Sequence, residues 1–216
     1  MQLFSKYIID KIVYAKQPKA KHQKRLDSAE NYDILNCYYV DAPVMLPHSN
    51  SSADTMVELE TIANANLLHK NPAKLENKYD DEFDWAFKKI VEDAGLEYDE
   101  PYFKQLIKEA ASITIRLKYK FNRPRPFQLA SHYNMKLGEH VMESMKTPSY
   151  PSGHSAQGIL IGKVLQTKLP INTDAFIEAG KRISYSRNLG RAHYPSDSRM
   201  GEIIGNVMYN HIKDKI

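Results

Sequence analysis

The sequence predicts an all-α fold, a single-domain helical bundle whose helices are joined by long connecting loops. From Asp54 onward, apolar residues recur at the three-to-four-residue spacing of amphipathic helices, and strand-like alternation is scarce. The length of 216 residues suits one domain with a proper core. We therefore expect one domain over 1–216, with an irregular, basic region over 1–50 and a motif-bearing core over 100–205.

The N-terminal region is first basic and then rich in turn-forming residues. Lysine and arginine are concentrated between Lys16 and Arg25. A solvated face is the commoner interpretation of such a run, and an arm for nucleic acid or an anionic surface is the alternative. Residues 41–52 are rich in proline and serine, which is typical of a loop.

Two amphipathic helices are predicted after this loop. The first has an apolar stripe formed by Met56, Val57, Leu59, Ile62, Ala63 and Leu67. The second has a stripe formed by Phe83, Ala86, Phe87, Ile90, Val91 and Ala94. Gly95 is suited to end this second helix.

A long helix is predicted from about Pro101, since proline suits the first turn of a helix. Its apolar face is formed by Phe103, Leu106, Ile107, Ala110, Thr114, Leu117 and Phe121. Pro124 ends the helix, because proline donates no backbone N–H and restrains the residue before it.

Three further helices complete the prediction. The first begins at the segment Pro151-Ser-Gly-His154 and continues to Pro170. The second spans Asp174 to about Arg187, and the third spans Ser196 to about Lys213.

Composition limits the functional classes. The net charge of +4 is too small a bias to indicate nucleic acid as a partner. Cys37 is the single cysteine, so no intramolecular disulfide can form, and a buried thiol is the simplest interpretation of it. Lys6 and Asp10 interrupt the stretch where a signal peptide needs apolar residues, and no uncharged apolar run approaches the ~20 residues that span a bilayer. These features predict a cytoplasmic protein without stable membrane insertion.

The first of three polar clusters contains Lys118 and Arg125. Seven residues are nearly two helical turns, so both cations can face the same side and bind phosphate oxygens. A solvated basic helix end is the alternative. Arg116 and Arg123 repeat the same spacing two residues earlier, so spacing alone leaves the register open.

The second cluster, Ser152-Gly153-His154, begins a predicted helix. Ser152 can cap the helix, and Gly153 allows the backbone to approach a ligand. Free amides at a helix start attract anions. An ordinary capped helix with a structural histidine is the alternative.

The third cluster contains Arg187, His193 and Asp197. Arg187 can bind phosphate, and the four-residue spacing allows the Asp197 carboxylate to reach one nitrogen of the His193 imidazole. That contact would fix the tautomer and leave the other nitrogen free to attack. A surface His–Asp pair is the alternative.

Taken in order, the clusters Lys118-x6-Arg125-Pro, Pro-Ser-Gly-His154 and Ser-Arg187-x5-His193-x3-Asp197 resemble the signature of the type 2 phosphatidic acid phosphatase and vanadium haloperoxidase superfamily. The resemblance selects Lys118 with Arg125. It is greatest to the soluble bacterial class A acid phosphatases, through Arg-Pro-Arg-Pro-Phe at 123–127 and Ser-Tyr-Pro-Ser-Gly-His at 149–154. It covers about residues 100–205 well and the N-terminal half loosely. Those secreted enzymes carry signal peptides, so location and substrate do not follow from the resemblance.

The resemblance implies a role for each residue. His193 is the nucleophile and forms a phosphohistidine, Asp197 orients it, and His154 protonates the leaving oxygen and then activates water. The phosphoryl oxygens are held by Lys118, Arg125, Arg187, the Ser152 hydroxyl and the Gly153 amide.

The implied enzyme is a metal-independent phosphomonoesterase, similar to acid phosphatases, that acts on a small phosphorylated substrate. We expect no cofactor and expect vanadate to inhibit; homo-oligomer formation is left open. The other histidines are scattered without metal-ligand spacing, at His22, His48, His69, His132, His140 and His211.

Three other functions are alternatives to this one. The residues implied to hold the phosphoryl oxygens, called the phosphate cradle below, are Lys118, Arg125, Ser152, Gly153 and Arg187. The same cradle can bind vanadate, which would give a vanadate-dependent haloperoxidase, although the chain is short for that family. A soluble lipid-phosphate phosphatase could act on headgroups at a surface through the basic N-terminal stretch. A basic nucleic-acid-binding protein on a phosphatase scaffold is the non-enzymatic alternative, but the presence of every reactive residue argues against it.

Overall fold

The computed structural model confirms the all-α prediction. It describes residues 3–27, 32–35, 43–65, 82–137, 142–169, 171 and 174–216. Within these ranges, every regular element is a helix.

The helices are numbered here in chain order. They are α1 (Leu3–Asp10), α2 (Ala20–Asp27), α3 (Ala53–Ala65), α4 (Trp85–Asp93), α5 (Glu100–Phe121), α6 (Pro126–Ala130), α7 (Gly153–Lys168), α8 (Asp174–Leu189) and α9 (Pro195–Ile212). Short 3₁₀ turns occupy Ser131–Tyr133, Glu143–Met145 and Lys213–Lys215. The N-terminal region thus contains two short helices, α1 and α2, that the sequence analysis did not predict.

The centre of the fold is α7, which packs against α5, α8 and α9. Its residues Ala156, Leu160, Ile161 and Val164 are fully buried. Such a helix is apolar on most sides, because neighbours cover it all round.

Glycines allow the backbones of these central helices to approach closely. A Cβ atom added at Gly180 of α8 would lie 2.6 Å from the carbonyl oxygen of Gly158 in α7. A Cβ at Gly201 of α9 would collide with the carbonyl oxygen of Ser152. The second approach brings the start of α9 against the start of α7.

The long helix α5 has the ends that its sequence indicates. The Asp99 side chain accepts a hydrogen bond from the backbone N–H of Tyr102, and Pro101 lies in the first turn. Asn122 adopts the left-handed conformation at φ 49° and ends the helix two residues before Pro124. Asparagine tolerates this conformation better than most residues.

The predicted stripe on α3 is only partly correct. Leu59 and Ile62 are fully buried, but Met56 and Val57 are 39% and 54% exposed. The buried face instead includes Thr55, whose hydroxyl donates to the carbonyl of Ser49 at 2.9 Å. The helix turns this more polar face inward because the face contacts the buried side chain of Arg123.

Some predicted features lie outside the described residues, namely Leu67, Cys37, His69, His140 and Pro170. Within the part of the chain that the structure describes, no helix is both long enough and apolar enough to cross a bilayer.

Candidate active site

The eight predicted site residues come from five separate places in the fold. Lys118 lies near the end of α5, Arg125 caps α6, and Arg187 lies in the last turn of α8. The others lie where helices begin: Ser152, Gly153 and His154 at the start of α7, and His193 and Asp197 at the start of α9.

The structure brings all eight residues together. Ser152 N–H donates to the carbonyl of Asp197 at 3.0 Å, which joins the starts of α7 and α9. A Cβ at Gly153 would lie 3.9 Å from Cε of Lys118. The charges of Arg187, Lys118 and Arg125 all act on His154. The site therefore lies where α5, α7, α8 and α9 meet.

His193 is held between a carboxylate and an arginine. Its Nδ1 lies 3.3 Å from Oδ2 of Asp197, and its Nε2 lies 3.1 Å from Nη1 of Arg125. Asp197 Oδ2 also accepts from the backbone N–H of Tyr194 at 3.1 Å. The expected His193–Asp197 contact is thus present, and the pair is buried rather than on the surface.

Asp197 has a second partner that sequence reasoning did not identify. Arg123 Nη1 donates to Asp197 Oδ1 at 2.6 Å. Arg123 is buried, its guanidinium stacks 3.8 Å above the ring centroid of Tyr194, and its Nη2 donates to Oε2 of Glu58 at 3.1 Å. Glu58 in turn accepts from the backbone N–H of Ser196 at 2.5 Å. A buried arginine therefore links α3 to the start of α9.

This arrangement keeps Asp197 ionised. Burial alone would raise the pKa of Asp197, but Arg123, His193 and the Tyr194 amide together hold the pKa well below its ordinary value. Burial also lowers the pKa of Arg123, and this effect is outweighed by Asp197, Tyr194 and Glu58, which raise it.

The cations of the cradle are fixed by main-chain carbonyls. Lys118 Nζ donates to the carbonyls of Pro148 and Ser149 at 2.8 and 3.2 Å. Arg125 donates through Nε to the carbonyl of Thr147 at 2.8 Å and through Nη2 to that of Ser144 at 2.9 Å. The segment 144–149 therefore positions both cations.

Two more contacts complete the placement of the arginines. Arg125 Nη1 donates to the carbonyl of Ala192 at 2.6 Å, and Arg187 Nη2 donates to Oγ of Ser144 at 2.7 Å. Both guanidinium groups are fully buried. Buried cations fixed in this way are suited to bind an anion without large rearrangement.

The cations lower the pKa values of the basic groups around them. Burial, followed by Arg125 and Arg187, lowers the pKa of Lys118 well below its ordinary value, against the opposing effect of Asp197. Burial and the neighbouring cations lower the pKa of His154 and that of His193, and Asp197 partly opposes the shift of His193. The site is thus short of negative charge, which a bound anion would supply.

The start of α7 completes the cradle. The Ser152 hydroxyl caps the helix and accepts from the backbone N–H of Ser155 at 3.3 Å. A Cβ at Gly153 would lie 3.4 Å from Oγ1 of Thr114, at the short end of ordinary van der Waals contact. His154 packs edge-on against Phe83, with ring centroids 5.3 Å apart.

The two alternative registers of the first cluster are now distinguished. Arg116 turns away and donates to the hydroxyl of Tyr32 at 2.5 Å, whereas Arg123 binds Asp197. Lys118 and Arg125 are the pair beside the two histidines.

Sequence reasoning missed the role of Arg123 and the participation of Glu58. Arg123 is part of the Arg-Pro-Arg-Pro-Phe segment, so a signal was present without an assigned role. Glu58 is distant in sequence and carries no motif, so only the packing of α3 reveals it.

Comparison with known proteins adds a family and two relatives. Residues 105–213, about half of the chain, match the model of the PAP2 superfamily, and this range contains all eight site residues. The chain is similar to the non-specific acid phosphatase of Salmonella typhimurium (strain LT2), with 32% identity over 100 residues that cover 46% of this chain and 40% of the relative. The non-specific acid phosphatase of Salmonella typhi is 31% identical over 100 residues with the same coverage. The match therefore spans less than half of the length of these relatives.

Proposed function

The chain belongs to the PAP2 superfamily, and we propose that it is a metal-independent phosphomonoesterase that works through a phosphohistidine intermediate. Membership of the superfamily supports a phosphatase-type function. The relatives named non-specific acid phosphatases support phosphate monoesters as the substrate class.

The position of His193 between Asp197 and Arg125 carries this proposal. An arginine has no acceptor, so the Nε2 atom that faces Arg125 Nη1 at 3.1 Å must present its lone pair. The hydrogen of the neutral ring is then on Nδ1, where it points to the Asp197 carboxylate. This is the tautomer that a nucleophilic imidazole requires.

In the first step, a phosphate ester replaces Arg125 as the neighbour of His193 Nε2. The side chains of Lys118, Arg125 and Arg187, the Ser152 hydroxyl and the Gly153 amide hold the phosphoryl oxygens. The Nε2 lone pair attacks phosphorus, and the bond from phosphorus to the ester oxygen breaks. His154 donates its proton to that oxygen, which leaves as an alcohol. Asp197 stabilises the positive charge that develops on the ring.

In the second step, neutral His154 removes a proton from a water molecule. The water oxygen attacks phosphorus, the bond to His193 Nε2 breaks, and inorganic phosphate is released. His154 is protonated again, as it was at the start. Its pKa is lowered in the empty site, and the negative charge of a bound phosphate opposes this effect.

No metal is needed in this scheme, because fixed cations spread the charge of the transferring group. Vanadate should inhibit by mimicking that group. The proposed ligand is a small phosphorylated molecule.

The test is phosphate release from an aryl phosphate in excess chelator, with rapid acid-free trapping of the phosphoenzyme. We expect turnover, inhibition by vanadate, and loss of both turnover and phosphoenzyme in His193→Asn. His132→Asn is a matched control, because His132 is exposed on the 3₁₀ turn Ser131–Tyr133. Activity that disappears in chelator and returns with magnesium or zinc would overturn the metal-independent mechanism.

The same preparation distinguishes the alternatives. Bromide or chloride oxidation with bound vanadate would indicate a haloperoxidase. Preference for phosphatidate over soluble esters would indicate a lipid-phosphate phosphatase. Salt-sensitive binding of nucleic acid without turnover would indicate a binding protein.

A further inference from the structure

An aromatic side chain lies beside the histidine that is proposed to act as the acid. The ring of Phe83 packs edge-to-face against the imidazole of His154, with centroids 5.3 Å apart and an angle of 63° between the ring planes. Phe83 also packs against the hydrophobic core and is partly exposed. The reaction steps proposed above give Phe83 no role.

The turn that carries Phe83 is fixed by the helix that follows it. The backbone N–H of Trp85 donates to the carbonyl of Glu82 at 3.2 Å, which closes the turn at the start of α4. The helix is anchored by Phe87, whose side chain is fully buried. The position of Phe83 beside His154 is therefore set by the core before any ligand binds.

The burial of the site residues indicates where the alcohol part of a substrate lies. Six of the eight are buried, whereas Gly153 and His154 are partly exposed. A phosphoryl group held by the buried cations leaves the alcohol part to extend toward the partly exposed residues. His154 must also come within about 2.6–3.2 Å of the ester oxygen to donate its proton. The group bonded to that oxygen therefore lies on the His154 side of the site, where Phe83 is.

We propose that Phe83 forms one wall of the leaving-group site and selects phosphate monoesters in which an aromatic ring is bonded to the ester oxygen, that is, aryl phosphates. This inference rests on the proposed function and names its substrate class. Phe83 is a specificity-determining residue in this scheme, because it contacts the leaving group and takes no part in proton transfer.

The physical reason is the favourable contact between aromatic rings. A pair of rings in edge-to-face or offset contact strengthens binding by about two- to tenfold beyond the effect of the apolar area that it buries. In an edge-to-face contact, His154 covers at most one face of the Phe83 ring, so the ring can contact a second ring as well. A small alkyl group at the same place would cover less of Phe83 and would bind less tightly.

The alternative is that Phe83 only positions His154. Loss of the Phe83 ring would then slow the reaction according to the basicity of the leaving oxygen, because His154 supplies the proton. It would affect the binding of two phosphonates equally, since phosphonates have a carbon atom in place of the ester oxygen and receive no proton there. The ratio of two phosphonate affinities therefore separates contact with the ligand from positioning of His154.

The test measures the binding of benzylphosphonate and ethylphosphonate to the full chain by calorimetry, at a pH where both are monoanions. Benzylphosphonate has the shape of phenyl phosphate, whereas ethylphosphonate has no ring. For the unaltered protein, we expect benzylphosphonate to bind at least about fivefold more tightly.

Variants of Phe83 test whether its ring is the source of this preference. In Phe83→Ala the affinity ratio should fall to within about twofold, and Phe83→Leu, which keeps apolar volume without a ring, should give an intermediate ratio. Tyr7→Leu is the matched control, because it removes a ring that is 62% exposed on α1, and it should leave the ratio unchanged.

Turnover provides a second measurement. Phenyl phosphate and hexafluoroisopropyl phosphate have leaving alcohols of similar acidity, but only phenyl phosphate carries a ring. Phe83→Ala should lower kcat/KM for phenyl phosphate at least about threefold more than for the fluoroalkyl ester. Equal losses for the two esters would mean that Phe83 acts through His154 alone, which overturns the inference.

Equal binding of the two phosphonates by the unaltered protein also overturns the inference, whether or not the variants fold. An unchanged affinity ratio in folded Phe83→Ala has the same meaning. Failure of the proposed function gives a different result, in which no phosphate ester is hydrolysed. The phosphonate ratio then still decides whether Phe83 contacts a ring bonded to the bound anion.

Discussion

Replacing Asp197 with asparagine tests the assignment of His193 most directly. Asp197 Oδ1 accepts from Arg123 at 2.6 Å, and Oδ2 accepts from Tyr194 N–H at 3.1 Å and faces His193 Nδ1 at 3.3 Å. Asparagine has the same shape but only one acceptor oxygen and an NH₂ group. In either orientation of the amide, its NH₂ group therefore faces a donor.

The size of the expected fall in kcat follows from the loss of the His193 tautomer that can attack. If the NH₂ faces His193, the ring must accept on Nδ1 and carry its hydrogen on Nε2, which removes the attacking lone pair. The corresponding change in a Ser-His-Asp protease, a different family, lowers kcat by about 10⁴. We expect a loss of about 10³ to 10⁴ here. KM should change less, because the cradle cations remain.

The same substitution should also destabilise the fold. It removes one partner of the buried Arg123–Asp197 pair, and breaking such a pair typically costs about 3–5 kcal/mol. The pKa of Asp197 is lowered in the folded chain, so its stabilisation is present above the pKa of an unfolded aspartate and is lost as pH falls toward the folded pKa. Below about pH 4 the unaltered protein should therefore lose stability more steeply than Asp197→Asn.

The assay is kcat and KM for an aryl phosphate, with urea unfolding measured at several pH values. Asp214→Asn is a matched control at an exposed position. A folded Asp197→Asn protein with kcat near that of the unaltered enzyme would refute the role of Asp197 and, with it, the tautomer argument for His193.

Three further predictions concern other parts of the fold. His154→Ala should slow hydrolysis of alkyl phosphates at least about tenfold more than that of nitrophenyl phosphate, because a basic leaving oxygen needs the proton most. An equal loss of rate for all leaving groups would contradict the role of His154 as the acid. Glu58→Gln weakens the hydrogen bond that Glu58 accepts from Arg123 and should lower kcat by about tenfold. Glu60→Gln, on the exposed face of α3, is the control, and equal activity of the two variants would show that the contact between Glu58 and Arg123 does not affect catalysis. Gly180→Ala should lower the free energy of unfolding by about 1–3 kcal/mol, since its Cβ would lie 2.6 Å from a backbone oxygen of α7. An unchanged midpoint of urea unfolding would contradict the close approach of α7 and α8.

The sequence predicts α4, α5, α7, α8 and α9 well, because their boundaries depend on local chemistry, but it does not predict the five-residue helix α6. Asp99 and Pro101 start α5, and Asn122 and Pro124 stop it, all through contacts within a few residues. The start of α7 follows in the same way from Ser152, whose side chain caps the helix.

The sequence predicts α3 less well, because its exposed and buried faces depend on distant partners. Met56 and Val57 are apolar, yet Thr55 and Glu58 lie on the side that contacts Arg123. Periodicity ranks residues by hydropathy and does not detect a buried cation contributed by another helix.

The eight site residues could be selected from the sequence because the motifs fix their spacing. The neighbours that hold those residues could not be selected, since the carbonyls that bind Arg125 have no side-chain signature.

The main-chain support of the cradle has a consequence for how this site tolerates change. Lys118 and Arg125 are fixed by four carbonyl oxygens of the segment 144–149, which every amino acid supplies equally. Single substitutions along that segment can therefore alter its chemistry while leaving both cations in place. A one-residue insertion or deletion would move all four oxygens at once, so variation in length, rather than in residue type, is what this loop should resist.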